Sequence, residues 1–230
     1  MEQIVTWLQT CFADETILSA IRVTLTMAVC SCAISSLIGI TLGLFLERYA
    51  FRGKKLIIRL NRTLMGMPPV VAGLVVYLLL MRRGPLGKFE LLFTLPGMII
   101  AQIVIIAPIM TGMVHQYAVS KAPMIREFCQ IMGANQRQTF MTVLKEMRHD
   151  IYFCVVTAFG RSISEVGSVM LVGGNIKGRT RTMTTAISLL KSQGIFKEGI
   201  ALGVILLLMS FMIQWAGDLL RKEEAQDENY

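Results

Sequence analysis

Five apolar runs, each long enough to cross a bilayer and separated by polar stretches, constrain this chain more than any other feature. A nearly uncharged run of roughly 18 or more residues, rising about 1.5 Å per residue in a helix, spans a hydrocarbon core about 30 Å thick. The runs lie at 24–46, 64–81, 91–113, 151–172 and 199–217. Composition agrees, with 54% apolar residues among 230 and a mean hydropathy of +0.59. A water-soluble domain of this length would not expose so much apolar surface. No small-residue cleavage pattern follows the first run, so removal of a leader is not expected. The expectation is an all-α integral membrane protein. Residues 1–20 form an external or interfacial segment, residues 21–217 a single transmembrane domain, and residues 218–230 a charged cytoplasmic tail. Ile4, Val5, Leu8 and Phe12 with Trp7 suit a short interfacial helix, because Trp favours the headgroup level.

Charge orients the spans. Residues 47–62 carry six Lys/Arg and one acid, and 114–150 carry Lys121, Arg126, Arg137, Lys145 and Arg148. Basic loops stay in the cytoplasm, which puts the N-terminus outside and the C-terminus inside. The stretch 173–198 runs against that bias. It holds Lys177, Arg179, Arg181, Lys191 and Lys197 against Glu198, yet this topology places it outside. Attraction of an anionic solute or an acidic partner would give those cations a use.

Within the spans, Ser35, Gly39 and Gly43 put small residues one turn apart, which either permits close helix contact or reflects how common glycine is in such helices. Pro68 and Pro69 break the second run, and Pro96 and Pro108 lie in the third.

Several kinds of chemistry have no residues to support them. Cys11, Cys30, Cys32, Cys129 and Cys154 fit no metal or disulfide spacing, and His115 and His149 lack ligand partners in sequence. No metal site is expected. The sequence G-x-x-G-K-F at 84–89 is not a phosphate loop, because its glycines are too close and Phe89 stands where Ser/Thr would hold magnesium. No paired catalytic carboxylates or Ser/His set appear, so an intramembrane enzyme or a membrane scaffold is the remote reading.

Two stretches carry the functional signal. Glu127 precedes Gly133 by six residues in the 121–147 loop, where a glycine lets one short helix turn into the next. Arg161 and Glu165 stand four apart in an apolar run, hence on one helical face. They form either a neutralising pair that locks helices together or part of an aqueous path. Gly167, Gly173 and Gly174 permit close approach, Asn175 suits a cap or turn, and a gate belongs at this junction. Thr180, Thr182, Thr184 and Thr185 offer hydroxyls either to a tetrahedral oxyanion or to a re-entrant backbone.

The segment GRSISEVGSVMLVGGNIKGRTRTMTTAIS resembles the corresponding stretch of ABC importer permeases for molybdate, sulfate and tungstate, most closely the tungstate subtype. EFCQIMG at 127–133 resembles that family's E-A-A-x-x-x-G loop, departing at Phe128 and Cys129 where the family prefers Ala. Lys145-Glu146 stands where many members carry Leu-Pro. The resemblance implies the type I ABC importer permease fold, a homodimer with the solute path between the copies, and residence in a prokaryotic inner membrane. It implies two separate ATP-binding cassette ATPase subunits, which would bind ATP and Mg, and an extracytoplasmic oxyanion-binding protein; this chain would hold no cofactor and no nucleic acid. Glu127, Cys129, Met132, Gly133, Ala134, Asn135 and Arg137 would couple to the ATPase. Arg161, Ser164, Glu165, Gly167, Gly173, Gly174, Asn175, Thr180 and Thr184 would form the gate and path, with Lys177, Arg179 and Arg181 as an external basic loop.

Overall fold

The computed structural model describes residues 15–227; the proposed interfacial helix at 4–12 lies outside them. The described residues form helices and connecting turns, with no strand among them. Three helices are long and apolar enough to cross a membrane: α1 (Glu15–Arg48), α4 (Leu95–Ile131) and α9 (Phe196–Asp227). Two bent pairs reach that length only together. One is α2 (Lys54–Met65) with α3 (Pro69–Leu80), at 105°, and the other is α6 (Arg148–Ile163) with α7 (Gly167–Gly173), at 57°. The short helices α5 (Gln136–Glu146) and α8 (Met183–Ser192) complete the fold.

α4 is the central post. Ile106, Met110, Val114, Ala118 and Ala122 recur at the four-residue spacing of one helical face, and all are buried. α1 packs along this face at close range, and its small residues make that possible. A Cβ on Gly43 would meet Val114 Cγ1 at 2.8 Å, and one on Gly39 would run into Met110 and the backbone N of Thr111 at 2.9 Å. Here the spacing of Ser35, Gly39 and Gly43 is a contact surface.

Polar ties cross the apolar interior. Buried Gln102 on α4 donates from Nε2 to the Ser162 carbonyl on α6 at 3.1 Å, and the Ser31 and Ser162 hydroxyls lie 3.0 Å apart. Thr24 on α1 accepts from the backbone N–H of Met183 at 2.9 Å, satisfying a donor at the start of α8.

The structure departs from the sequence reading at four places. The stretch expected as a loop at 47–62 contains α2, whose Lys54, Lys55, Arg59 and Arg62 alternate with exposed Leu56, Ile57 and Leu60. That pattern is an amphipathic helix, and Pro68-Pro69 turns the chain sharply from it into α3. α4 begins at Leu95, with Thr94 as its cap and Pro96 in its first turn, where a missing N–H costs nothing. It also continues past Met113 to Ile131, since a polar outer face does not end a helix whose buried stripe persists. The run 151–172 is broken at Ser164–Val166. Finally, the stretch 173–198 expected as an external loop contains α8, whose Met183, Thr184, Thr185 and Ala186 are buried.

Candidate functional site

Two places in the fold gather the residues singled out in the sequence, one at each end of α4.

At the first, α4 stops and α5 starts within a few residues. Gly133 has φ of 72°, in the left-handed region, and the N–H of Ala134 reaches back to the Cys129 carbonyl at 2.9 Å. Nothing crowds a Cβ at Gly133, so backbone conformation alone demands glycine there. Asn135 then caps α5. Its side chain accepts from the N–H of Gln138 at 2.9 Å, and Gln138 Oε1 accepts from the N–H of Asn135 at 2.8 Å.

This turn carries a large exposed apolar surface. Met124, Phe128, Ile131, Met132 and Met141 are all exposed, Ile131 by 83%. Glu127 and Arg137 are also exposed and Ala134 is partly so, whereas Cys129 is buried beneath the turn. Contiguous exposed apolar side chains of this kind mark a surface that meets another protein or the membrane. The turn is braced against α1. Arg126 makes a two-pronged ion pair with Glu47, one contact at 2.8 Å, and Arg48 donates to Gln136 at 3.4 Å. Lys121 pairs with Asp150 at 2.6 Å.

The second place is the break between α6 and α7 and the hairpin after it. Glu165 sits in the break with its side chain 4% exposed. Its Oε1 accepts from the N–H of Gly167 at 3.2 Å, and its backbone carbonyl accepts from the Thr184 hydroxyl at 3.0 Å. Arg161, one turn earlier, lies 3.8 Å from the carboxylate and is 45% exposed. Ser164 is exposed, with its hydroxyl turned back onto the carbonyls of Gly160 and Arg161. α7 lies tight on α3: a Cβ on Gly167 would meet Val70 Cγ2 at 2.9 Å, and one on Gly73 would meet Ser168 Cα at 2.6 Å.

After Gly173 the chain reverses through Gly174 and Asn175, with φ of 68° and 53°. Thr180 closes the reversal by donating to the Gly173 carbonyl at 2.6 Å and accepting from the N–H of Ile176 at 3.0 Å. Thr182 and Thr185 cap α8 reciprocally. These hydroxyls serve the backbone. Arg181 donates to the side chain and carbonyl of Asn175, at 3.2 and 3.4 Å, so it is structural, while Lys177 and Arg179 are exposed. Gln102, Ser31, Ser162 and Thr24 escaped the sequence reading, because their partners are 60 or more residues away.

Residues 39–224 match the model of the binding-protein-dependent transport system inner membrane component. The chain is an ABC importer permease of that family. It is 42% identical over 181 residues, 79% of each chain, to the tungstate uptake system permease protein TupB of Peptoclostridium acidaminophilum. It is 36% identical over 210 residues to the protein of the same name in Campylobacter jejuni, covering 91% of this permease and 88% of that one. A bacterial alginate ABC transporter, solved in complex with an alginate pentasaccharide-bound periplasmic protein, shares the fold. The TM-score is 0.75 at 21% identity, over 94% of this permease and 82% of that chain.

Proposed function

We propose that this permease is the membrane subunit of an ATP-driven tungstate importer, working as a homodimer with the solute path between the two copies. The observation that carries the substrate is its 42% identity to a tungstate uptake permease. The chain has no phosphate-loop sequence, so ATP and Mg belong to two partner ATPase subunits. The exposed surface around Gly133, with Glu127, Met132, Ala134, Asn135 and Arg137, is the part that docks on them. Cys129 contributes by packing under the turn.

In this reading ATP binding draws the partner subunits together and moves the Gly133 turn with them. α4 and α5, braced through Glu47–Arg126, transmit that motion to the α3–α7 contact and the Arg161–Glu165 break. Gly173, Gly174, Asn175 and Thr180 form the outer edge of the gate, and a substrate-loaded binding protein presents the anion there. The N-terminus is outside and the C-terminus cytoplasmic, in a prokaryotic inner membrane. Molybdate or sulfate in the same role is the second reading, supported by the shared motif at 160–188.

Reconstitution tests this directly. Proteoliposomes holding the permease and its ATPase, supplied with the binding protein, take up tungstate only with ATP. Uptake that is independent of the ATPase would contradict the assignment.

A further inference from the structure

Between Ile151 and Gly173 the sequence has two charged residues, Arg161 and Glu165, and the structure treats them in opposite ways. The carboxylate is buried and hydrogen-bonded to the backbone, while the guanidinium is 45% exposed. Arg161 lies near the middle of the candidate membrane spans by two measures. It lies 13 residues after Arg148 and 12 before Gly173, near the centre of the broken span. Its neighbour Ser162 lies 3.0 Å from Ser31, which is 16 residues from Glu15 and 17 from Arg48 on α1. A cation half exposed at that depth cannot rest against lipid tails without a cost of several kcal/mol. This surface therefore faces water or the second copy of the chain, and not lipid.

The donors of Arg161 are also free. Its distance to Glu165 is 3.8 Å, too long for a hydrogen bond, and no other partner engages it among the described residues. A guanidinium presents five N–H donors in a planar fork that fits two oxygens of a tetrahedral anion at once. The nearby carboxylate tempers that attraction. A transport path needs a site strong enough to admit the anion and weak enough to release it.

We propose that Arg161 is a transient binding point for the divalent tetrahedral oxyanion midway through the membrane, on a water-filled path closed on its other side by the second copy of the chain. The two copies present a pair of guanidiniums to one dianion, with neutral Ser164 beside each. This rests on the homodimeric importer reading above and adds the residue on which the anion pauses.

The test uses the complete transporter in proteoliposomes, with Arg161→Cys in an otherwise cysteine-free permease. Import by this variant, which removes both guanidiniums of the homodimer, falls at least tenfold, since each lost charge-assisted hydrogen bond is worth about that much. A cationic, water-soluble thiol reagent restores most of the loss, and a neutral reagent of equal size does not. Failure of any water-soluble reagent to reach position 161, or equal effects of both reagents, overturns the proposal. The double variant Arg161→Gln/Glu165→Gln covers the chance that an unpaired buried carboxylate unfolds the protein. It removes both charges in each copy, co-purifies with the ATPase, and imports at least tenfold more slowly, whereas Arg161→Lys stays within about threefold of the parent. Parental import by the double variant would show that the pair is only a lock. If the parent complex imports no tungstate, molybdate or sulfate, the functional reading fails, and labelling at 161 still decides whether this residue meets water.

Discussion

The Thr24 hydroxyl lies 2.9 Å from the backbone nitrogen of Met183 and 2.7 Å from the Ala20 carbonyl, tying the first long helix to the start of the short helix α8. The N–H of Met183 is one of the first N–H groups of α8, which have no partner inside the helix. Thr24 is fully buried, so water cannot replace it.

Thr24→Val keeps the shape and removes the hydroxyl. It should destabilise the permease by about 1 kcal/mol, the usual scale of such a bond inside a membrane bundle, and Thr24→Ser should recover most of that. Thermal unfolding in detergent measures both. An unchanged midpoint for Thr24→Val would mean that the contact contributes nothing.

At Gly133 the demand is conformational. A β-branched residue at φ of 72° costs about 1–3 kcal/mol, while Asn tolerates that region. Gly133→Val should therefore insert normally but lose ATP-driven uptake, and Gly133→Asn should keep most of it. Vesicle uptake alongside ATP hydrolysis separates them; equal uptake by the two variants would sink the turn's role in coupling.

The basic hairpin, proposed to face outward, divides into two parts. Arg181 is held by Asn175, so Arg181→Gln should loosen the hairpin and lower stability at any salt concentration. Lys177 and Arg179 are exposed, and Lys177→Gln/Arg179→Gln should instead slow uptake at limiting solute in low salt only. Screening shortens the reach of surface charge from about 30 Å at 0.01 M to about 8 Å at 0.15 M salt. A deficit in the double variant that is equal at both salt concentrations would rule out electrostatic attraction.

The proposed orientation rests on loop charge and can be tested by labelling single cysteines at Lys55, Gln138 and Lys191, all exposed positions. Positions 55 and 138 should react only after permeabilisation and position 191 without it. The reverse pattern would invert the topology.

Much of this molecule was legible in its residues. Gly133 marks the turn between α4 and α5, although the Asn135–Gln138 cap beside it escaped the sequence reading, and the motif at 160–188 carries the family. Other features depend on facts that sequence order hides. The break at Ser164–Val166 contains no proline, and its polar Ser164 and Glu165 read equally well as residues of a continuous helix; it arises where Glu165 takes the N–H of Gly167 and α7 presses on α3. α8 hid because its reciprocal cap uses Thr at both positions, where Glu or Gln usually marks the second. The pair of Gln102 and Ser162 is invisible until folding brings residues 60 apart together.

The central claim is that this permease delivers tungstate under ATP power, and one measurement tests it most directly. ATP hydrolysis by the reconstituted transporter is followed while the binding protein is loaded in turn with tungstate, molybdate or sulfate. Tungstate should stimulate hydrolysis and drive accumulation in the vesicles at the lowest anion concentration of the three. Stimulation by sulfate alone, or no response to any of them, would contradict the account.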